Sequence, residues 1–317
     1  MLRLIYDTEF CPLSHDIVNT LAIIRGLLLL QKHDNPKFQV YLLNRKFRDI
    51  GIEKNYTDSY QKQKFRDVLY NVVDECKWVD TLRVLAGDEL IPSFKGKTIP
   101  DESALRQRGK VPEFLVTPMI SGQLEQVYLK FPALDLSDGF EADKNSKSVL
   151  NNIFMFEKAI TFFPRVSKFT PERNSNFNLF SEVAKRFKEK NYDIYFVPDI
   201  EDLRNDFSWK SFPGKPILMA SSDIKYKIAV AELSKFNILE AGGSRCIFNF
   251  TKVPYLQLGI WNEDVDICSK NFFSRKGPKF GEQPPWVKNP SQHIVWRETK
   301  NLSVDDVFSF FISSKKN

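Results

Sequence analysis

Cysteine is scarce in this sequence, and its four residues, Cys11, Cys76, Cys246 and Cys268, lie far apart. No Cys-x-x-Cys pair occurs among them, which excludes zinc-ribbon and thioredoxin-like motifs. Four cysteines in 317 residues are also too few for a disulfide framework, as is usual in a reducing compartment. We therefore expect four buried free thiols.

Motifs for metal ions and for the common nucleotide-binding loops are missing as well. No His-x-x-x-His pair occurs, and the acidic pair Asp264 and Asp266 follows no clear strand pattern, so we interpret it as surface. The chain contains neither Gly-x-x-x-x-Gly-Lys-Ser/Thr nor Gly-x-Gly-x-x-Gly. We expect no metal ion and no cofactor.

Long apolar runs are absent too. The most apolar stretch, Ile17 to Leu30, is shorter than the roughly 20 residues that cross a bilayer, and it contains Arg25. Arg3 is followed by a short strand pattern rather than by an apolar signal region with a cleavage site. We expect a cytoplasmic protein, with peripheral association at the inner membrane as an open alternative.

Neither sign of charge dominates the chain. The formal net charge is +6, which suits a polyanionic ligand, an anionic membrane surface or nucleic acid and is too small to choose among them. The basic residues form no block apart from the short pair Lys315 and Lys316. We therefore do not expect nucleic acid as a partner.

The sequence does contain two successive series of strand and helix patterns. Its length of 317 residues suits two domains of about 150 residues each. The first series opens with strands at Leu2–Tyr6 and Phe38–Leu43 around an apolar helix, the usual start of a parallel sheet. The second repeats this order from Ala159–Phe163 onward. The patterns predict an α/β protein with two Rossmann-like domains facing across a cleft.

The division between the domains is expected in the polar stretch Leu134 to Ser148, which leads into a helix at about Val149–Phe156. This gives an N-terminal domain of residues 1–148 and a C-terminal domain of residues 149–317. A short strand is expected at Ile217–Ala220, and a last helix at Val304–Ser313 could pack back on the N-terminal domain.

The turn Glu240-Ala-Gly-Gly-Ser244 lies between a predicted strand and a short predicted helix. Gly242 and Gly243 let the backbone approach a ligand, and the adjacent helix start presents free N–H groups to a phosphate. Ser244 could add a hydroxyl group and Arg245 a counter-charge. A plain tight turn, with glycine present for steric reasons alone, would give the same pattern.

A second candidate is the loop that follows the first strand of the C-terminal domain, where ligands of parallel sheets bind. Arg165, Lys168 and Arg173 could hold a pyrophosphate together with Asn174 and Ser175. The alternative is a solvated basic loop in which Asn174 or Ser175 only caps the next helix.

The first loop of the chain carries acidic groups and a histidine. Asp16 could serve as a general base at the end of the first strand, with Glu9, Asp7 and His15 as alternates. A role for Asp16 as a helix N-cap is the competing interpretation. Asp199, after a later strand, could contact a ribose or base, or could be a turn residue.

The segment from Ala229 to Gly259 runs from a helix through a strand, the Gly-Gly turn and a short helix into a strand with Pro254. This order resembles the donor-binding half of GT-B glycosyltransferases, especially bacterial heptosyltransferase-like enzymes. Their turn usually reads Asp/Asn-Ser/Thr-Gly and then His, where this chain has Glu-Ala-Gly-Gly-Ser-Arg.

The N-terminus is similar as well, because these enzymes have Gly-Asp before an apolar helix and this chain has His15-Asp16. The chain also resembles uncharacterised proteins of bacterial surface-polysaccharide clusters. The shared elements are Arg165 with Arg173-Asn174-Ser175, and Gln292 with Trp296.

The resemblance implies a metal-independent glycosyltransferase that moves a sugar from a nucleotide-sugar donor to a surface-glycan or lipid-linked acceptor. It further implies that Gly242, Gly243 and Ser244 hold the donor diphosphate and that Asp16 is the base. Two alternatives stay open: a nucleotide-sugar epimerase or hydrolase on the same fold, and a non-catalytic nucleotide- or glycan-binding protein.

Overall fold

The computed structural model describes residues 2–8, 11, 13–32, 36–44, 57–86, 98–99, 127–129, 131–204, 209–276 and 279–314. The chain divides into two compact units, Met1–Gly139 and Phe140–Asn317. Each unit has its own parallel β-sheet with helices. The predicted α/β class is confirmed.

The sheet of the first unit has the strand order β3-β2-β1-β4, and the pairings between these strands are parallel. Strands β1 and β2 are mostly apolar and buried, as expected for strands covered on both faces. Helix α1, Ile17–Leu30, connects them and buries residues around most of its circumference. The strands are β1 (Leu2–Asp7), β2 (Phe38–Asn44), β3 (Val79–Ala86) and β4 (Thr98–Ile99).

A helical segment precedes β3. Thr57 begins it as an N-cap, its side chain accepting a hydrogen bond from the Tyr60 amide at 3.3 Å. The segment ends before Trp78, whose carbonyl already accepts from the Phe38 amide at the start of the β2–β3 pairing. It consists of α2 (Asp58–Lys64), a π-helical stretch (Phe65–Tyr70) and α3 (Asn71–Asp74).

The sheet of the second unit has the order β10-β9-β8-β5-β6-β7, again with parallel pairings. Its two central strands, β5 and β8, are buried at every position. The strands are β5 (Ala159–Phe163), β6 (Asp193–Phe196), β7 (Lys215–Pro216), β8 (Phe236–Glu240), β9 (Tyr255–Leu258) and β10 (Gln292–Ile294).

Helices cover this sheet and build an aromatic core. Helix α5 begins at the N-cap Asn176, whose Oδ1 accepts from the Leu179 amide at 3.1 Å. Its apolar face packs on the sheet, where Phe162 and Phe180 lie with their ring centroids 5.7 Å apart. The helices are α4 (Lys144–Asn151), α5 (Phe177–Glu189), α6 (Ile200–Arg204), α7 (Met219–Ser222), α8 (Ile224–Leu233), α9 (Lys270–Lys276) and α10 (Val304–Ser314).

Both sheets contain a point at which the strand order reverses. Strand β1 lies between β2 and β4, and β5 lies between β6 and β8. In open parallel sheets, ligands bind beyond the carboxyl ends of the strands at such a point. The loops that follow β1, β5 and β8 are therefore the expected ligand-binding positions.

Three details of the predicted organisation differ from the structure. The first compact unit ends at Gly139 in the sequence, before the predicted boundary at residue 148. Helix α4 begins at Lys144 rather than near Val149, because the side chain of Asp143 caps it by accepting from the Ser146 amide at 2.8 Å. The connection predicted at Leu134 to Ser148 therefore ends earlier, where this helix begins.

The third difference concerns two of the later elements. The strand expected at Ile217–Ala220 is only Lys215–Pro216, an edge strand, where a proline without an N–H group is tolerated. The last helix packs its apolar face in the second unit, where Phe308 and Phe311 belong to the core, and the expected packing on the first unit stays a prediction.

The cysteines are free thiols, as expected, although Cys246 is only half-buried while the other three are buried. In the part of the chain that the structure describes, no helix is long and apolar enough to cross a membrane.

The packing of α10 predicts a large difference between two adjacent residues. Phe311 is buried against Phe187 and Phe236 at centroid distances of 4.9 and 5.0 Å, so Phe311→Ala should destabilise the protein by about 3–5 kcal/mol. Ile312 is 52% exposed, and Ile312→Ala should cost no more than about 0.5 kcal/mol. Urea unfolding measures both, and similar losses would show that the helix does not pack by this face.

Candidate functional site

Two loops of the second unit meet where its strand order reverses. One loop follows β5 and carries Arg165 and Arg173, and the other is the Gly-Gly turn after β8. Because β5 and β8 are neighbours in the sheet, these loops leave it side by side. The fold thus brings together the two loops that the sequence suggests separately.

The close approach of the two loops is at Gly242. Its φ is +135°, and a Cβ atom at this position would lie 2.6 Å from the Nε atom of Arg165. Gly243 also has a positive φ, of 41°. Glycine is therefore required at position 242 both for its backbone conformation and for the space that the Arg165 side chain fills. The helix after the turn is a 3₁₀-helix, Gly243–Phe250, and the side chain of Ser244 lies outside the described part.

Arg165 organises its own loop. Its Nη2 atom donates to Thr170 Oγ1 at 2.6 Å, and its Nη1 atom lies 3.4 Å from Asn174 Oδ1. Its amide donates to Ser175 Oγ at 2.8 Å, and the Ser175 amide donates back to its carbonyl at 3.0 Å. Asn174 and Ser175 therefore hold the loop closed, and the interpretation that one of them caps the next helix is wrong, because Asn176 does so.

Positive charge is concentrated here. Burial, followed by the neighbouring charges of Arg173 and Arg245, lowers the pKa of Arg165 to about 10, while Asp199 and Glu201 oppose the effect. Lys168 lies on the same loop with an exposed side chain, and its Nζ atom is 5.1 Å from the Phe169 ring centroid. Such a cluster favours an anionic ligand.

Arg245 lies inside the protein rather than at the surface. It is 5% exposed, and its Nη2 atom donates to the carbonyl oxygens of Phe163 and Pro164 at the end of β5. Its Nη1 atom pairs with Asp199 Oδ2 at 3.5 Å. Arg245 and Asp199 therefore bridge the strand ends beside the site, and contact of Arg245 with a phosphate and of Asp199 with a ribose or base stays a prediction.

The sequence did not reveal that Lys227 on α8 is buried near Arg245 and Asp199. This side chain is 7% exposed. Its pKa is lowered to about 8, first by burial and then by Arg245, with Asp199 acting in the opposite direction. A lysine among the apolar residues of a helix is the one signal that could have indicated a buried charge.

Glu240, the last residue of β8, was also missed. It is 3% exposed, and its Oε1 atom accepts from Thr299 Oγ1 at 3.2 Å. Burial raises its pKa to about 7 against the opposing charge of Arg245 and the hydroxyl groups of Thr299 and Ser175. The Ser175 hydroxyl lies near the carboxyl group without the geometry of a hydrogen bond, and Oε2 has no partner among the described residues.

Gly259, which follows β9, makes room for this carboxyl group. Its φ is +69°, and a Cβ atom there would lie 1.5 Å from Glu240 Oε1. The sequence Leu-Gln-Leu-Gly shows a glycine after a strand, but it does not show that a neighbouring strand ends in a buried carboxyl group beside it.

A cavity of about 170 Å³ opens beside Glu240. It lies beyond the carboxyl ends of β8 and β9, next to the loop that carries Arg173. Its wall consists of polar side chains, one indole ring and the backbone of one glycine. The lining residues are Glu172, Arg173, Asn174, Asn176, Glu240, Gly259, Trp261, Asn262, Asp264, Glu298, Thr299 and Lys300.

The candidate base lies in the first unit, after β1. Asp16 precedes helix α1, but its side chain makes no capping hydrogen bond and instead accepts from Ser14 Oγ at 2.7 Å. Asp16 therefore occupies the N-cap position of α1, as the competing interpretation expected, although its side chain makes no capping hydrogen bond. Asp7 is buried at the end of β1, His15 is half-buried, and Glu9 lies outside the described residues.

Within the described ranges, no cluster of three or more His, Cys, Asp or Glu side chains could hold a metal ion. Asp264 is exposed and pairs with Lys300 at 3.0 Å, consistent with the surface position expected for it.

The fold has known relatives, although no protein-family model and no curated protein matches the sequence. The chain is similar to the ADP-heptose lps heptosyltransferase II of E. coli, with a TM-score of 0.55, 10% identity and coverage of 99% of this chain and 98% of that one. It is also similar to a glycosyl transferase family 9 protein from Veillonella parvula, with a TM-score of 0.55, 13% identity and coverage of 99% and 96%. The chain therefore has the GT-B fold of these proteins, and the resemblance inferred from its sequence is confirmed for the fold.

Two glycines with positive φ allow the crowding at Glu240 to be measured. Gly281 has a φ of +85° with no atom near its missing Cβ, so Gly281→Ala should cost only the backbone strain of about 1–2 kcal/mol. Gly259→Ala should cost roughly 1–3 kcal/mol more, because the new methyl group overlaps the carboxyl group. Equal losses in urea unfolding would show that the carboxyl group moves aside freely.

The raised pKa of Glu240 predicts a pH-dependent stability. A buried carboxyl group with a raised pKa stabilises the fold fully below its ordinary pKa of 4.5, and it loses this contribution as the pH rises through about 7. Glu240→Gln should match the wild type near pH 4.5 and exceed it by up to about 3 kcal/mol above pH 7.

Urea titrations from pH 4.5 to 8.5 measure this difference, with Glu182→Gln as the control because that carboxylate is 57% exposed. A difference between the Glu240→Gln variant and the wild type that stays constant with pH would contradict the raised pKa.

Proposed function

We propose that this protein is a glycosyltransferase that moves a sugar from a nucleotide-sugar donor to a surface-glycan or lipid-linked acceptor without a metal ion. The observation that carries the proposal is the cluster of Arg165 and Arg173 beside the Gly-Gly turn, at the strand-order reversal of a GT-B fold. The solved relatives are named as a heptosyltransferase that uses ADP-heptose and as a family 9 glycosyl transferase.

The arginine cluster supports binding of a diphosphate. Gly242 and Gly243 have backbone conformations that leave this turn without side chains, so a phosphate can approach the backbone N–H groups. Arg173 is half-buried on the adjacent loop, and its charge would stabilise the diphosphate as the glycosidic bond breaks. The positively charged side chains would thereby stabilise the leaving diphosphate, as a metal ion does in other transferases.

The Asp16 carboxylate supports the transfer step. It is half-buried, it makes no capping hydrogen bond to α1, and the Ser14 hydroxyl orients it. In the proposed reaction it takes the proton of the acceptor hydroxyl group, which then attacks the sugar. We further propose a cytoplasmic location, from which a lipid-linked acceptor would bring the protein to the inner membrane surface.

The diphosphate site predicts a selective effect of Arg173. Wild-type protein should be stabilised in thermal-shift assays by at least one of ADP, UDP, GDP and CDP. Arg173→Ala should weaken that binding by about 1–3 kcal/mol, the usual range for hydrogen bonds to charged groups, and should affect the nucleoside far less. Calorimetry with the diphosphate and the nucleoside measures both losses.

Lys185→Ala serves as the control, because this exposed lysine of α5 pairs only with Glu182 among the described residues. Equal weakening of nucleoside and diphosphate by Arg173→Ala would show that this loop does not bind phosphate.

The role of Asp16 predicts a loss of turnover without a loss of donor affinity. Asp16→Asn keeps the size of the side chain and removes the proton acceptor, so turnover should fall by about 10²–10⁴-fold. Product formation from a nucleotide sugar and an acceptor glycan, followed by mass spectrometry, measures turnover, and calorimetry measures donor binding. Full activity of the variant would indicate that the general base is Asp7, Glu9 or His15 instead. Turnover without any acceptor would favour an epimerase or hydrolase.

A further inference from the structure

Each strand of the second sheet has a lysine in the segment that leads into it or at its first residue. These segments are 152–158, 190–192, 209–214, 234–235, 251–254 and 287–291. The strand pairings are parallel, so the segments lie together at one end of the sheet, opposite to the end where ligands of such sheets bind. We call the following residues the lysine row: Lys158 (β5), Lys190 (β6), Lys210 and Lys215 (β7), Lys235 (β8), Lys252 (β9) and Lys288 (β10).

Hydrogen bonds place members of the row side by side. The carbonyl group of Lys158 accepts from the first amide of β6 at 3.1 Å, and the amide of Lys235 donates to the first carbonyl group of β5 at 2.9 Å. The carbonyl group of Lys252 accepts from Nδ2 of Asn289, the residue after Lys288, at 2.9 Å. Neighbouring strands lie about 4.8 Å apart, so residues far apart in the sequence form one line of positive charges in the fold.

Few negative charges oppose this row. All seven lysines are exposed, and six of them, with Lys288 left aside, form no ion pair with the described residues. The same segments and strand starts contain two acidic residues, Glu157 and Asp193, and the end of α5 adds Lys188 and Glu189, whose charges cancel. The row thus has five positive charges in excess, in a chain whose formal net charge is +6. Such a concentration of charge favours an anionic partner.

Two strongly exposed apolar side chains lie at the same end of the sheet. Ile153 is 58% exposed and Met155 is 73% exposed, in the segment that leads into β5. The Tyr195 hydroxyl accepts from the Met155 amide at 3.2 Å and donates to its carbonyl group at 3.0 Å. The rings of Phe154 and Phe156 pack against Tyr195 at centroid distances of 5.5 and 5.4 Å. The loop is therefore anchored from inside while its other two apolar side chains remain in water, which is typical of an interaction surface.

We infer that this end of the second sheet docks on an anionic lipid membrane, with the lysine row against the headgroups and with Ile153 and Met155 in the acyl boundary. Anionic headgroups attract clustered lysines, and apolar side chains that enter the boundary leave water. A nucleic acid would pair with the charges but would offer no apolar phase to the two side chains. The row also consists of lysine alone, whereas arginine binds nucleic-acid phosphates in a fixed geometry.

Docking by this end leaves the arginine cluster free for its own ligand. The cluster lies beyond the opposite ends of the strands, and a strand of five residues such as β5 is about 17 Å long. The field of an anionic membrane is screened within about 10 Å at ordinary salt concentration. The membrane would therefore not repel an anionic ligand from the arginine cluster.

Sedimentation of the full chain with lipid vesicles tests the inference. One set of vesicles contains phosphatidylcholine alone, and the other contains equal parts of phosphatidylcholine and phosphatidylglycerol. Binding to the mixed vesicles should be at least about tenfold tighter and should weaken strongly between about 0.1 M and 0.5 M sodium chloride. The vesicles contain neither a nucleotide sugar nor a glycan acceptor, so the result does not depend on the proposed function. Arg173→Ala, which alters the diphosphate site, should bind them as the wild type does.

A matched pair of triple variants locates the surface. Replacing Lys158, Lys190 and Lys235 by Gln should weaken binding to the mixed vesicles about 100-fold, because each lysine near an anionic surface contributes about fivefold. The control replaces three exposed lysines outside the row, Lys62, Lys185 and Lys270, by Gln and should have a much smaller effect at the same net charge. Circular dichroism checks that both variants are folded.

A second pair tests the apolar contact. Met155→Ser should weaken binding about tenfold, because it removes an apolar side chain from the acyl boundary. Leu218→Ser should have no effect, because Leu218 is 50% exposed but follows β7 at the other end of that strand. Equal effects of these two substitutions would overturn the entry of the loop into the membrane.

Three further outcomes would overturn the docking surface itself. They are no binding to either set of vesicles, equal binding to both sets, and equal weakening by the two triple variants. Fluorescence anisotropy with labelled duplex DNA and single-stranded RNA completes the test. Binding to a nucleic acid that only the triple variant of the row loses, without binding to vesicles, would replace the membrane by a nucleic acid as the partner.

Discussion

The candidate site depends on one buried cation. Arg245 leaves the turn after β8 and donates to the backbone at the end of β5, while it pairs with Asp199 beyond the end of β6. A single guanidinium group thus joins the carboxyl ends of three parallel strands. Because backbone carbonyl groups are costly to bury without partners, the arginine also stabilises the end of β5 by donating to two of them.

The charges around Arg245 are balanced rather than simply positive. Burial disfavours the charged forms of three groups in the region, as the lowered pKa values of Arg165 and Lys227 and the raised pKa of Glu240 show. The acidic residues Asp199 and Glu201 oppose this effect on the cations. An incoming anion would also stabilise the charged forms of these buried cations. The preorganised site therefore favours a negatively charged ligand.

The sequence predicts the sheets well and the side-chain directions poorly. Strands such as Ala159–Phe163 are short, apolar runs between polar segments, and their placement needs no tertiary information. The orientation of Arg245 could not be predicted, because the same residue after a glycine turn can face a ligand or the strand ends. Glu240 and Gly259 were missed for a related reason: their contact joins neighbouring strands, and no local pattern records it.

The pairing of Gly242 with Arg165 has an evolutionary consequence. The arginine side chain fills the space that a Cβ atom at position 242 would need, so the two positions cannot vary independently. A related protein with a larger residue in the turn must shorten or redirect the side chain at position 165, and a short residue at 165 leaves a hole that the turn can fill. Covariation between these two positions would therefore mark the chains that share this loop arrangement and separate them from GT-B proteins that build the same turn in another way.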